Sequence, residues 1–258
     1  MNSPLRIAQV RIAPEQADLP GNAARLMRAL DELSRERVDV VVTPECFLDG
    51  YIAVEDSVTR DTLANYAIDP SSNPYVGAIR DWAREHSTWV ILGVSRRAPE
   101  GIYNSALIID RSGKLVGCYD KTHCQTHDQK YLAGQSLPVF DSDFGLFGVL
   151  ICADRRWPEA ARSLAVQGAR VIFNPTFGMC DDRNRRMMQT RSFESEVFIA
   201  FTHPVQSLLT DPTGGILCND THDDAEYSVT EIDLSRVDTI RPGPAAHLRD
   251  RRTDLYLD

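Results

Sequence analysis

Leu146-Phe147-Gly148-Val149-Leu150-Ile151-Cys152-Ala153-Asp154-Arg155-Arg156-Trp157-Pro158-Glu159 is the stretch on which the reading of this chain turns. Its first six residues predict a buried strand, and Pro158 predicts the start of a helix that Trp157 leads into. A thiol is thereby set at a tight strand-to-helix turn, close to backbone N–H groups that favour a thiolate. An isolated cysteine there would be read as core, because free cysteine is among the most buried residue types. Two further stretches argue otherwise. Val38-Asp39-Val40-Val41-Val42-Thr43-Pro44-Glu45 runs an apolar strand into a carboxylate, and Leu115-Val116-Gly117-Cys118-Tyr119-Asp120-Lys121-Thr122-His123 runs another into a lysine. In α/β folds ligands gather where strands end and loops converge. Taken together the three form a catalytic set: Cys152 as nucleophile, Glu45 as its base, and Lys121 as a fixed positive charge for an oxyanion.

Working outward, the remaining sequence predicts strands at Leu5–Ile12, Trp89–Val94, Ile102–Asp110, Val171–Asn174, Val197–His203 and Tyr227–Asp233. Helices are predicted at Asn22–Arg37, Val58–Ala67, Pro74–His86, Pro158–Gln167 and Asn184–Glu194. In the first, Leu26, Leu30 and Leu33 share a face and Asn22 can cap the start. Turns at 109–114 and 141–145 read as hairpins. Hairpins mixed with strand-helix units predict two mixed sheets packed face to face with helices outside.

Composition narrows the classes. The chain has 258 residues, enough for one sizeable core, and no Pro/Gly/Ser-rich linker divides it, so one domain over residues 1–258 is expected. Charged residues make up 25% and apolar ones 43%, near the globular average, which argues against disorder. A net charge of −9 argues against nucleic acid or an anionic membrane surface as partner. No apolar run approaches the roughly 20 residues of a bilayer span. Met1-Asn2-Ser3-Pro4 leads straight into the first strand, without room for a secretion signal. The six cysteines form no CxxC pair or regular framework, so reduced thiols in a cytoplasmic protein are expected.

The three catalytic stretches resemble those of the nitrilase, or carbon-nitrogen hydrolase, superfamily. Arg6-Ile7-Ala8-Gln9-Val10, Tyr103-Asn104-Ser105-Ala106, Gly168-Ala169 followed by Asn174-Pro175, and Arg251-Arg252-Thr253-Asp254-Leu255-Tyr256 carry the resemblance along the chain. It implies an α/β fold, a four-layer α-β-β-α sandwich with two mixed β-sheets, and commonly a homodimer or higher homo-oligomer. It also implies a Glu-Lys-Cys triad that hydrolyses a small amide through an acyl-thioester, with the Ala153 N–H helping Lys121 at the oxyanion and with no cofactor and no metal.

Many members of that superfamily carry a second glutamate between the lysine and cysteine segments. Here the stretch reads His127-Asp128-Gln129-Lys130-Tyr131-Leu132-Ala133-Gly134, and Asp128, one methylene shorter, is the nearest carboxylate, with His127 the register alternative. A competing reading makes His123, Cys124, His127, Asp128 and Cys118 metal ligands, but Cys-x-x-His is a single half-site without a second. The string Asp154-Arg155-Arg156-Trp157-Pro158-Glu159 is similar to that of N-carbamoyl-D-amino acid hydrolases, where an arginine grips the substrate carboxylate. Arg156 is the candidate for that grip, against internal pairing of an arginine with Asp154 or Glu159. Pocket-wall candidates are Phe47, Tyr51, Asn104, Trp157, Asn174, Phe177 and Met179, with the loop at 178–186 at the rim or simply solvated. A small-amide or ureido hydrolase thus stands ahead of a nitrilase, a non-catalytic binder of the same fold, and a papain-like protease.

Overall fold

The computed structural model describes residues 4–221, 225–244 and 246–256, so the lead-in Met1-Asn2-Ser3 and the far end of the expected domain lie outside the described residues. One six-stranded sheet contains β1 (Leu5–Val10), β2 (Val40–Val42), β3 (Trp89–Ala98), β4 (Gly101–Ile109), β5 (Leu115–Asp120) and β12 (Tyr227–Ile232), in the order β12-β1-β2-β3-β4-β5. The other contains β6 (Val139–Phe140), β7 (Phe147–Val149), β8 (Val171–Pro175), β9 (Phe198–His203), β10 (Gln206–Thr210) and β11 (Ile216–Asp220), in the order β11-β10-β9-β8-β7-β6. In each sheet three parallel strands, β1-β2-β3 or β7-β8-β9, are flanked by antiparallel ones. The two sheets therefore repeat one pairing pattern, although the sequence carries no visible repeat.

The layering follows from strand alternation. Val40 and Val42 point into the space between the sheets, where they meet Phe147, Val149 and Phe173, while Val41 points the other way. That opposite face is covered by α1 (Leu19–Leu33) and, beyond the single turn α2 (Arg60–Leu63), by α3 (Pro74–His86). On the other sheet Ile172, Ile199 and Phe201 face α4 (Pro158–Val166) and α5 (Asp182–Ser195). Both faces of each sheet are buried, which is why the central strands read as continuous apolar runs. The result is the expected α-β-β-α sandwich. A short α6 (Ser235–Ile240) follows β12.

Several local expectations are corrected. Asp18, not Asn22, caps α1, accepting from the Gly21 N–H with Pro20 in the first turn. Asn22 lies inside the helix, where its amide donates to the carbonyls of Glu15 and Leu48 and ties α1 to the loop beyond Glu45. The helix stops at Leu33 rather than Arg37, which takes a left-handed φ of 51°. The segment expected as a helix over Val58–Ala67 forms only one helical turn, because Ile68 is pulled alongside β3 by backbone bonds with Ser95 and Arg97. Strands β6, β10 and β11 and helix α6 were not anticipated.

One close approach fixes the edge of the first sheet at which Glu45 lies. Gly93 of β3 passes beneath the turn after β2, and its N–H donates to Thr43 Oγ1 at 2.9 Å. A methyl group there would lie 2.2 Å from the Pro44 carbonyl oxygen and 2.9 Å from the Cys46 nitrogen. Backbone on both sides leaves no soft neighbour to yield. Gly93→Ala is accordingly expected to cost about 1–3 kcal/mol of stability, as overpacking does, and to shift Glu45. Thermal unfolding measures the first effect, and an unchanged Tm would mean that the turn is not pinned by this contact.

Candidate active site

Three strand ends meet at one edge of the sandwich. After β2 the chain turns through Thr43, Pro44 and Glu45 into Cys46. After β5 it reaches Lys121, whose N–H donates to the Asn104 carbonyl of β4 at 2.9 Å. After β7 it reaches Cys152, which adopts a left-handed φ of 45° and opens a 3₁₀ turn at Cys152–Arg156 rather than the helix itself. Such a backbone in a residue other than glycine persists only where its surroundings dictate it. Asp154 supplies that constraint. Its buried carboxylate accepts from the Ile151 N–H (2.9 Å), the Tyr119 hydroxyl (2.7 Å), the His123 N–H (2.9 Å) and the Thr122 hydroxyl (3.0 Å), with His123 Nδ1 at 2.7 Å. Burial alone would raise the Asp154 pKa, but the bonds from His123, Ile151 and Tyr119 hold it below the usual aspartate value. Asp154 thus joins the turn of Cys152 to the loop of Lys121, and neither Arg155 nor Arg156 pairs with it or with Glu159.

Beneath the thiol lies a buried charge cluster. Glu45 is fully buried; its Oε1 accepts from Lys121 Nζ at 2.7 Å and Asn104 Nδ2 at 2.8 Å, and its Oε2 from the Phe177 N–H at 3.0 Å. Lys121 Nζ also donates to Asp128 Oδ2 at 2.6 Å. The Tyr51 hydroxyl donates to Asp128 Oδ1 at 2.5 Å, and His127 Nε2 lies 3.2 Å from the same hydroxyl. Burial pushes the Lys121 pKa down, but Glu45, Cys152 and Asp128 outweigh it and hold the ammonium well above the usual lysine value. Burial and then Glu45 raise the Cys152 thiol, against the opposing charges of Lys121 and Arg155.

Above this cluster a cavity of 190 Å³ is lined by Lys121, Cys152 and Ala153, by Tyr51 and His127, and by Phe177 together with Gly178 and Met179 at its rim. Its size suits a small molecule. A larger cavity of 270 Å³ opens at the opposite edge, beside Leu5, Asp39 and Arg111, where Arg111 is paired with Asp39 and Asp143. It contains no thiol, and its one hydroxyl, Ser235, is held by Asp233 at 2.6 Å with no buried base of the Glu45 kind beside it, so the smaller cavity is the candidate site.

The expected wall is partly redistributed. Phe47 is fully buried among the residues between the first sheet and its helices. Asn174 is buried and donates to the Leu150 carbonyl at 2.8 Å, bracing the end of β7 instead of facing a ligand. Trp157 stacks on the His123 ring, with centroids 4.1 Å apart, and lies outside the lining. Asn104 holds the Glu45 carboxylate. Arg156 is exposed at the cavity and donates to Gln125 at 2.6 Å. Only Gly178 and Met179 of the loop at 178–186 line the cavity, since α5 begins at Asp182. Gln125, Thr126 and Val54 also contribute, and no sequence signal singled them out. Among the described residues no three His, Cys, Asp or Glu side chains converge in a way that could hold a metal ion.

Asp128→Asn tests the cluster. Losing one carboxylate from a buried ion-paired lysine costs about 3–5 kcal/mol. The raised Lys121 pKa stabilises the fold below the unfolded lysine value and is lost only as pH rises through the folded value. With Asp128 neutralised, that loss should set in at lower pH than in the wild type. Denaturant unfolding at several pH values reads both effects, and wild-type behaviour in the variant would rule out the Asp128–Lys121 pair.

Comparison with known proteins places these features in a family. The family profile of carbon-nitrogen hydrolase matches residues 6–242. A nitrilase of Pyrococcus abyssi is 27% identical over 98% of this chain and 99% of its own. N-carbamoylputrescine amidase of Solanum lycopersicum is 26% identical over 93% of this chain and 89% of its own. The crystal structure of Saccharomyces cerevisiae Nit3, a member of branch 10 of the nitrilase superfamily, superposes with a TM-score of 0.83 at 22% identity, covering 97% of this chain and 98% of that one. The extent of the profile match shows that this chain belongs to the carbon-nitrogen hydrolase family and is an enzyme of that kind.

Proposed function

We propose that this enzyme hydrolyses the non-peptide C–N bond of a small amide, with Cys152 as nucleophile, Glu45 as general base and acid, and Lys121 as the charge that stabilises the oxyanion. Glu45 takes the Cys152 proton, and the thiolate adds to the carbonyl carbon. Charge develops on the carbonyl oxygen, where the Lys121 ammonium and the Ala153 N–H receive it; one such donor is worth about 3–4 kcal/mol in other enzymes. Protonated Glu45 then gives its proton to the departing nitrogen, releasing ammonia or an amine and leaving an acyl-thioester. Glu45 next deprotonates a water that attacks the thioester, and collapse expels the thiolate, which recovers its proton from Glu45. Asp128 holds Lys121 throughout.

The observation that carries this reading is the Lys121 ammonium, clamped between Glu45 and Asp128 beneath the cavity that exposes Cys152. Its third N–H makes only a 3.4 Å contact with the Tyr51 hydroxyl, a weak bond readily exchanged for an oxyanion. The remaining thiols fit the role poorly. Burial and Asp49 push Cys46 well above the usual thiol value, and burial with Asp128 lifts Cys124 to about 11.

A second reading within the same chemistry is a ureido substrate, an N-carbamoyl amino acid. Arg156 favours it, being exposed at the cavity with only the neutral Gln125 as partner, and so able to meet a carboxylate. Phe177 and Ala153 would form the apolar part of either subsite. All six cysteines are free, which supports a reducing, cytoplasmic setting, and no helix among the described residues is long and apolar enough to cross a membrane. A homodimer is the expected assembly.

Intact-mass measurement with a slowly turned-over substrate is expected to show an acyl adduct on Cys152, and Cys152→Ala to abolish turnover with the fold retained. Glu45→Gln should stop both acylation and deacylation, since the amide cannot accept a proton. An adduct on Cys46, Cys118 or Cys124, or a normal acylation burst in Glu45→Gln, would sink the assignment. Ammonia release across amides, carbamoyl amino acids and nitriles should favour the first two. A nitrile yields a thioimidate that must add water before nitrogen can leave, whereas an amide brings its oxygen to Lys121 at once. A nitrile that matched its amide would show that the residues after Cys152 do not set this preference.

A further inference from the structure

Arg155 is only 2% exposed, yet it has no carboxylate partner among the described residues. Its Nε donates to Asn184 Oδ1 at 2.7 Å and its Nη2 to the Met179 carbonyl at 2.7 Å, both neutral, and its Cζ lies 5.2 Å from the centre of the Phe201 ring. Nη1 is buried and has no protein partner among the described residues. A guanidinium withdrawn from water without a counter-ion is costly, and its fixed anchoring means that the cation cannot swing out to solvent. The site must therefore present an anion to it at some stage. Arg155 and Cys152 line the same cavity, and the guanidinium opposes the rise that burial and Glu45 impose on the thiol.

The buried charges suggest which anion. Lys121 is shared by two carboxylates, so the set Glu45, Lys121 and Asp128 carries one negative charge in excess. Moving the Cys152 proton onto Glu45 relocates charge to sulfur without removing that excess. Lys121 alone thus faces both Asp128 and the new thiolate. Counting Arg155 makes the set neutral, and its Nη1 is buried with no hydrogen-bond partner among the described residues. We propose that Arg155 is a second catalytic cation of this site, whose Nη1 N–H stabilises the Cys152 thiolate when Glu45 takes the proton and whenever the thioester collapses. The assignment rests on the thioester reading for its place in turnover, but it concerns the thiol itself and can be tested without turnover.

The experiment is alkylation of Cys152 in the full-length protein, followed by mass spectrometry, with neutral iodoacetamide and anionic iodoacetate across a range of pH. Arg155→Met should slow iodoacetamide labelling by about tenfold at neutral pH and move the whole rate–pH curve to higher pH. Arg155→Lys, which keeps the charge, should recover part of the rate. Asn184→Asp leaves every atom of Arg155 in place but gives it a carboxylate partner, and it should slow labelling in the same direction. This variant keeps the test open if Arg155→Met does not fold. Unchanged iodoacetamide rates in Arg155→Met or Asn184→Asp would overturn the proposal. So would a loss confined to iodoacetate, which would assign the guanidinium to an anionic group of the ligand. A thiol shifted as expected in a protein that hydrolyses no amide would leave the role of Arg155 standing and remove the amidase reading instead.

Discussion

A lysine ammonium buried between two carboxylates is the constraint around which the rest of this structure is arranged. An ion pair taken out of water repays its desolvation only when every remaining donor and acceptor is satisfied. Here Glu45 is satisfied by a side-chain amide from β4 and a backbone N–H from beyond β8, and Asp128 by a tyrosine from the loop after β2. Each bond reaches to a different part of the chain. The cluster is therefore assembled only when both sheets are packed, and the geometry of the candidate site and the tertiary fold are specified by the same contacts.

The repeated pairing pattern explains why such a convergence is available. Two sheets, each with three parallel strands at its centre, are stacked so that the ends of β2, β5, β7 and β8 open onto one edge. Each parallel strand is buried on both faces, so its side chains are committed to packing and cannot serve chemistry. Reactive groups are left to the first residues beyond the strands. Pinning them there takes close approaches such as Gly93 under Pro44, and polar anchors such as Asp154 and Asn174.

This division also decides what the sequence could reveal. Glu45, Lys121 and Cys152 stand out because each follows an apolar strand, a pattern that survives without knowledge of the fold. Asp128 was less legible, being a lone carboxylate in a polar segment; only in three dimensions do Tyr51 and Lys121 single it out. Asn174, Phe47 and Trp157 follow or flank strand ends too, yet they brace a strand, fill the core and stack on His123. Proximity in sequence to a catalytic segment does not say which side of the backbone a side chain takes. Of the strands missed, β6 has two residues and β11 is an edge strand whose Ile216 and Leu217 are exposed, so little burial patterns them; β10 is wholly buried, but its Gln206, Ser207 and Thr210 leave only Leu208-Leu209 as an apolar run. Helix α6 buries only Val237, too little for a period to show.

Cys46 and Cys152, two of the cysteines that follow strand ends, isolate what makes a thiol useful. Cys46 and Cys152 share the same left-handed backbone, with φ of 45° at each, and both lie beside Glu45. Strained turns and a nearby base therefore do not distinguish them. Their electrostatic surroundings do. Cys46 is enclosed, with the hydroxyls of Tyr131 and Ser95 at 3.6 and 3.9 Å from its sulfur, and the charges acting on it, from Asp49, Glu45 and Asp128, are all negative. Cys152 faces the same Glu45 but has Lys121 and Arg155 opposing it, and it opens onto the cavity. A base can take a proton from either thiol in principle, but only at Cys152 does the anion left behind meet positive charge, and only there can a substrate reach it.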